Sequence, residues 1–205
     1  MAEDELFYLE PWRPYRWRRK QWAREWRSTM SDAYESVELK SYDPVVVTLE
    51  EGKTPQEEGE RAAYIRALAA IELSKRVQGV GNPHVYESAA EGLKAQAVAQ
   101  AKASGTSLEE ALAKQHVTLA QYDRMVRMQA ADMVNQGLAL DAWARHFGVE
   151  PTEDDVMELL ETMSHGEPAR LLEQIGQDAA QLEALSLAEM RYAANKHLAM
   201  QAVIA

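Results

Sequence analysis

The chain of 205 residues contains no cysteine, which excludes disulfide bonds, thiolate metal sites and cysteine nucleophiles. It also lacks any apolar run of the roughly 18 residues that a transmembrane helix needs. The start, Met1 to Glu5, is acidic and is not followed by a long apolar stretch, so no signal peptide is expected. Because 46% of the residues are apolar, the chain can bury a core. We expect a soluble globular protein of the cytoplasm.

Patterns typical of catalysis or metal binding are also missing. The histidines are far apart and form no zinc-binding pair: His84, His116, His146, His165 and His197. Adjacent carboxylates occur at the starts of predicted helices, where acidic residues favour the helix dipole: Glu57-Glu58, Glu109-Glu110 and Glu153-Asp154-Asp155. No glycine-rich nucleotide-binding loop is present. We therefore expect no enzymatic activity, no metal site and no cofactor.

Charge is distributed unevenly along the chain. The formal net charge is −11, from 22 Lys and Arg against 33 Asp and Glu. Residues 11–27, which we call the basic segment, hold seven basic residues against one acidic residue, a net charge of +6, and four of the five tryptophans. The rest of the chain therefore carries −17. Such a contrast indicates a separate arm with its own contacts, and the candidates are Trp17, Arg18, Trp22, Arg24 and Trp26.

Two interpretations of the basic segment remain open at this point. Arginine and tryptophan together can bind phosphates and stack on bases, which would make the protein a non-enzymatic ribosome or nucleic-acid adaptor with the helical body as a scaffold, or they can insert into a membrane interface. Alternatively, the segment can pack against the acidic remainder of its own chain as an intramolecular pseudo-client, or exchange into a second copy, which would give self-association. The two interpretations differ in whether the segment contacts a nucleic acid or a membrane on the one hand, or a protein on the other.

The remainder of the sequence predicts helices, with one extended stretch before them. Val45 to Leu49 is the one cluster of β-branched residues between proline and glycine, and we expect it to be a linker with little or no sheet. Helix caps and apolar periodicity then predict seven helices, at about residues 55–76, 83–103, 107–116, 118–147, 151–165, 168–175 and 178–203. The fold class is therefore all-α.

Methionine is concentrated towards the end of the chain. Seven of the nine methionines follow residue 124: Met125, Met128, Met133, Met157, Met163, Met190 and Met200. Flexible thioethers suit an exposed apolar surface that binds many partners, although neighbouring helices could equally bury them.

The order of these pieces from Thr54 to Ala205 resembles the C-terminal chaperone domain of bacterial trigger factor. The motifs that carry the resemblance are Asn82-Pro83, the short-helix start Gly105 to Glu110, Leu138-Ala139-Leu140-Asp141-Ala142 and the turn from Gly148 to Val156. The ribosome-binding signature Gly-Phe-Arg is absent, and the chain is too short to hold a prolyl-isomerase domain as well. The resemblance therefore does not extend to those two activities.

The resemblance implies an elongated, multi-helix body with arm-like helical projections. The corresponding organisation is a basic Trp/Arg-rich N-terminal arm at 1–36, an extended linker at 37–56 and a chaperone domain at 57–205. The implied function is that of an ATP-independent chaperone that holds unfolded or nascent polypeptides in an apolar cradle between helices. On this basis we expect clients to contact Met125, Met128, Leu138, Met157, Leu160 and Met163.

Overall fold

The computed structural model describes residues 37–79, 81–176 and 178–205. This part of the chain is dominated by helices, which confirms the all-α prediction. Its helices are α1 (Glu58–Ser74), α2 (Pro83–Ala103), α3 (Leu108–Lys114), α4 (Leu119–Phe147), α5 (Glu153–Ser164), α6 (Pro168–Ile175) and α7 (Ala179–Gln201). Its strands have two residues each: β1 (Glu38–Leu39), β2 (Val46–Val47), β3 (Val77–Gln78) and β4 (Val203–Ile204).

Most helix ends lie where the local sequence predicts them. Ser107, Thr118 and Thr152 each form a capping box with the residue three positions later, and so start α3, α4 and α5. Gly148 ends α4 in the left-handed conformation with φ 62°, which glycine adopts without steric cost. Each of these ends is determined within about one helical turn of sequence.

Helix α1 starts later than residue 55, where the sequence predicts it to begin with Thr54 as its N-cap. Its N-cap is Glu57, whose carboxylate accepts hydrogen bonds from the backbone N–H groups of Gly59 and Glu60. The Thr54 hydroxyl instead donates to the Glu50 carbonyl at 2.9 Å. The two orphan N–H groups are satisfied by a closer carboxylate, so the threonine is used in the preceding turn.

The main core lies where α1, the second half of α4 and the second half of α7 meet. Trp143 is completely buried at its centre, and Leu73 and Leu198 pack into the same cluster from α1 and α7. The indole Nε1 of Trp143 donates to His197 Nδ1 at 3.0 Å, which satisfies the one polar atom of the buried ring.

Residues 37–49, for which the sequence predicts a linker, pack into this core. Val45 and Val47 are fully buried in the main cluster. Strand β2 pairs in parallel with β4 at the end of the described chain, and β1 pairs antiparallel with β3 after α1. The pairing partners lie far away in sequence, which is why the local pattern shows a strand without a partner.

Two smaller apolar clusters are separate from the main core. The first projection, residues 81–135, consists of α2, α3 and the first half of α4 around Ala90, Val126 and Ala130. The second projection, residues 150–187, consists of α5, α6 and the first part of α7; its cluster contains Val156, Leu160, Leu172, Ile175 and Leu185. Helices α4 and α7 each extend from one projection into the main core and so connect the three clusters.

Helix α2 lies antiparallel along α4 in the first projection. The Tyr86 hydroxyl donates to Asn135 Oδ1 at 2.8 Å near the core, and Lys94 Nζ lies 2.6 Å from Asp123 Oδ1 about two turns of α2 further out. The two contacts set the register of the pair. The face of α4 that α2 covers is therefore fixed, and the opposite face is left to the solvent.

A buried ion pair joins α4 to α7. Asp141 is fully buried, and its carboxylate accepts hydrogen bonds from Arg191 Nε at 2.9 Å and Nη2 at 2.7 Å. Gly137 provides the space for the guanidinium, since a Cβ at this position would lie 2.7 Å from Arg191 Cζ. The aspartate of the Leu138–Ala142 motif thus has a structural partner within the fold.

Candidate functional site

Exposed methionines lie on the outer face of α4. Met125 and Met128 are three residues apart, which places them side by side on the helix, and their side chains are 59% and 62% exposed. Val126 and Ala130 are buried on the face that α2 covers. The two methionines therefore form an apolar pair that no element of the described structure covers.

The two leucines predicted to contact clients are buried instead. Leu138 is 3% exposed and lies against the start of α2, where a Cβ at Gly81 would come within 2.8 Å of Leu138 Cδ1. Leu160 is fully buried between Val156 and Leu172 in the second projection. Contact of either leucine with another polypeptide therefore requires local opening of the structure, and client contact at these two positions stays a prediction.

The predicted methionines of α5 differ from each other. Met157 is partly buried against the apolar cluster of the second projection. Met163, in the last turn of α5, is 47% exposed and lines an open groove of about 190 Å³ between α5 and α6. The groove is lined by Met163, Ser164, Glu167, Arg170, Leu171 and Gln174.

Sequence reasoning missed one exposed methionine of α4. Met133 shares the apolar stripe of the helix, which predicts burial, yet it is 52% exposed. It lies between Ala130 in the cluster of the first projection and the main core, which begins at Ala139. The sequence does not indicate that α4 is uncovered between the two clusters, because this depends on where α2 meets α4.

A charged network holds the second projection against the body. Lys196 Nζ on α7 lies 2.7 Å from Asp155 Oδ1 and 2.9 Å from Glu158 Oε2, both on α5. The guanidinium of Arg66 on α1 approaches Glu158 Oε1 at 4.0 Å and lies over the ring of Tyr192. Three helices therefore meet at one group of alternating charges.

The protonation equilibria of this network show that its charged form is favoured. Burial raises the pKa of Asp155, but hydrogen bonds from Lys196 and Thr152 outweigh it and leave the pKa below its ordinary value. The pKa of Glu158 is also lowered, because hydrogen bonds from Tyr192 and Lys196 outweigh the effect of burial. Burial, together with the hydrogen bond to Glu158, raises the pKa of Tyr192 to about 12. Burial lowers the pKa of Lys196, but its two carboxylate partners raise it overall.

The predicted arm contacts cannot be located in this structure, and the part of the chain that it describes holds neither a metal-binding group nor a membrane-spanning helix. The arm residues Trp17, Arg18, Trp22, Arg24 and Trp26 lie outside the described residues. Within residues 37–79, 81–176 and 178–205, no group of three or more His, Asp or Glu side chains could hold a metal ion. None of the helices in these ranges combines the length and apolarity needed to cross a membrane.

Comparison with known proteins adds one match. The family model of the bacterial trigger factor protein C-terminus matches residues 85–204, which is more than half of the chain. No curated protein and no solved structure matched. The matched range starts inside α2 and includes most of both projections and all of α7, and therefore covers the exposed methionines described above.

Proposed function

The chain belongs to the family of bacterial trigger factor C-termini, and from this premise we propose that it is an ATP-independent chaperone that holds unfolded or partly folded polypeptides. The family supports a chaperone-type role in general. Holding of clients by the exposed methionines, a location in the cytoplasm and the lack of an enzymatic reaction are parts of the proposal.

The observation that carries the proposal is the uncovered pair Met125 and Met128. Both side chains are more than half exposed although they are apolar, and they lie beside each other on one face of α4. Methionine is unbranched and polarizable, so it can adapt to many apolar shapes without a fixed motif. A holding chaperone needs this kind of surface, because unfolded chains expose different apolar side chains.

The second projection offers a further apolar contact at Met163. Its side chain and the partly exposed Leu171 are the two apolar side chains that line the groove between α5 and α6. We therefore retain Met125, Met128, Met157 and Met163 as proposed client contacts and omit Leu138 and Leu160, which are buried.

The net charge of the protein is compatible with this role. An unfolded client adds exposed apolar surface to any complex that it forms, and this promotes association between complexes. The net charge of −11 opposes such association by mutual repulsion. No nucleotide is needed for binding that relies on apolar contact and charge alone.

Light scattering of an aggregation-prone protein, diluted from denaturant without ATP, tests the proposal. The full-length chain is compared with the double variant Met125→Gln/Met128→Gln, which keeps side-chain length and helix propensity but removes the apolar thioethers. The matched control is Met200→Gln, since Met200 is 76% exposed in the last turn of α7, outside both projections.

We expect the unmodified chain and Met200→Gln to suppress scattering equally. If each thioether contributes only about 0.7 kcal/mol of its burial energy to binding, the double variant loses about tenfold in affinity. It should then need about tenfold more protein for half suppression. No suppression by the unmodified chain would refute the holding function and favour the adaptor hypothesis, and equal suppression by all three would refute the placement at Met125 and Met128.

A further inference from the structure

The two projections differ strongly in charge. The second projection, residues 150–187, holds ten Asp and Glu against one Arg, a net charge of −9. The first projection, residues 81–135, holds six Asp and Glu against five Lys and Arg, a net charge of −1. Nearly a third of the acidic residues of the chain are thus concentrated on one of two otherwise similar helical units.

The groove of the second projection lies within this charge, and its lining is mostly polar with two apolar side chains. Met163 and Leu171 contribute the apolar atoms, and Glu167 and Arg170 form an ion pair at 2.9 Å along the rim. That pair neutralises the one arginine of the projection, and Lys196 and Arg66 of the body offset part of its charge at Asp155 and Glu158. Two further carboxylates, Glu161 and Glu173, are exposed on α5 and α6 and lie three residues from lining residues of the groove, next to them on the helix surface.

We propose that this groove binds the basic segment, residues 11–27 of the same chain, and does so in preference to the first projection. The segment carries +6 and four tryptophans, so its charge complements the −9 of the projection and its rings can contact the exposed thioether of Met163. A tryptophan ring packs against the Met163 thioether, and neighbouring arginines pair with Glu161 and Glu173. The proposal deepens the proposed function because Met163 is one of its client contacts.

The connection from the basic segment to the body is long enough for binding within one chain. Residues 28–36 separate the segment from Val37, and nine extended residues span up to about 30 Å. The carbonyl of Val37 accepts a hydrogen bond from Arg145 Nη2 at 3.4 Å, close to the end of α4, after which the second projection begins. The groove lies at the far end of α5, whose 12 residues measure about 18 Å.

Charge also explains why the segment should avoid the first projection. Met125 and Met128 are at least as exposed as Met163, so apolar contact alone would favour them. Arg124 and Arg127 lie on the same helix beside them, and the net charge of their projection is −1. An arginine-rich segment therefore gains no electrostatic attraction there, and the methionine pair of α4 stays available.

The absence of cysteine allows a direct test with single labels on the full-length chain. Met163→Cys carries a bimane fluorophore, which tryptophan quenches on contact. The matched control is Met128→Cys with the same label on the first projection. Each labelled protein is compared with a version in which the four tryptophans of the segment are phenylalanine, namely Trp12, Trp17, Trp22 and Trp26, whereas Trp143 is kept in all versions.

If the docked state is at least half populated, removing the four tryptophans brightens the label at position 163 by about twofold or more and leaves the label at 128 unchanged. Salt at 1 M, where the Debye length is about 3 Å, should have the same selective effect. The charge reversals Glu161→Lys and Glu173→Lys should also brighten the label at position 163. Equal responses at 163 and 128, or none at 163, would overturn the proposal.

Dilution distinguishes the same chain from a second copy. Quenching within one chain is independent of protein concentration, and quenching that disappears on dilution would overturn the intramolecular assignment in favour of a dimer. The readout is independent of client binding. The label at position 163 can therefore show no quenching although the protein suppresses aggregation, which would overturn the docking proposal alone. It can equally show quenching although the protein does not suppress aggregation, which would overturn the chaperone proposal alone.

Discussion

The substitution Gly137→Ala should destabilise the protein although it replaces a glycine in the middle of a helix. A Cβ at this position would lie 2.7 Å from Arg191 Cζ and 2.8 Å from Nη1, closer than atoms in contact can approach. The guanidinium cannot stay where it is, and it is this position that lets it bond both oxygens of Asp141. The methyl group therefore acts by displacing the partner of a buried carboxylate.

The expected magnitude follows from two opposing contributions. Breaking a buried ion pair and leaving one charge unpaired costs about 3–5 kcal/mol, which is the upper bound here because Asp141 is fully buried but the Arg191 side chain is 30% exposed and can move. Alanine is favoured over glycine in a helix interior by about 1 kcal/mol. The free energy of unfolding should therefore fall, by at most about 2–4 kcal/mol.

Urea unfolding followed by circular dichroism at 222 nm measures this change. The matched control is Gly92→Ala, since Gly92 lies inside α2 and no atom would lie within 4 Å of an added Cβ. With the same helix preference and no displaced partner, Gly92→Ala should stabilise the protein by about 0.5–1 kcal/mol. Both substitutions replace a helical glycine by alanine, but they should change the free energy of unfolding in opposite directions.

A double-mutant cycle tests the cause of the effect. In the Arg191→Met background the atoms that would clash with the new methyl group are absent and the ion pair is already lost. Gly137→Ala should then be neutral or stabilise by up to about 1 kcal/mol. If it destabilises this background as much as the unmodified chain, the clash with Arg191 is not the reason and the argument is refuted.

Two further predictions concern the remaining polar contacts of the body. Because the folded pKa values of Asp155 and Glu158 are lowered, their stabilisation is present above their unfolded pKa values and is lost as the pH falls through the folded ones. Lys196→Met should therefore lower the urea midpoint at pH 7 and make the midpoint fall less steeply between pH 5 and pH 3. An unchanged pH dependence of the midpoint would contradict the stabilising role of this charged network. Trp143→Phe removes the hydrogen bond to His197 Nδ1 and buried volume, and should cost about 2–3 kcal/mol in the same urea experiment; a loss below about 1 kcal/mol would contradict it.

The helix ends could be predicted because the interactions that determine them are local. Ser107, Thr118 and Thr152 cap their helices by bonding groups within three residues, and Gly148 ends α4 through its own backbone conformation. Pairing of Val46 with Val203 has no such local cause. Its energy comes from a partner at the other end of the described chain, so the sequence around Val46 cannot reveal it.

The candidate surface could be predicted only in part for a related reason. A helical wheel separates Met128 and Leu138 from the main apolar stripe of α4 but cannot say what covers each side. Leu138 is covered by the start of α2 at Gly81, whereas Met128 lies where α4 has a neighbour on one side alone. Exposure at both positions depends on the length and register of another helix.

The division of charge between the projections has a consequence for a chaperone that carries its own tryptophan-rich segment. If both projections were equally acidic, the basic segment would be attracted to both and would compete with clients at every methionine. In the proposed arrangement, the concentration of acidic residues at 150–187 would confine that attraction to the groove at Met163 and leave Met125 and Met128 accessible. A client rich in apolar and poor in basic residues would then bind the first projection without displacing the segment. A basic client, in contrast, competes with the segment for the same carboxylates, so the proposed arrangement discriminates between clients by charge.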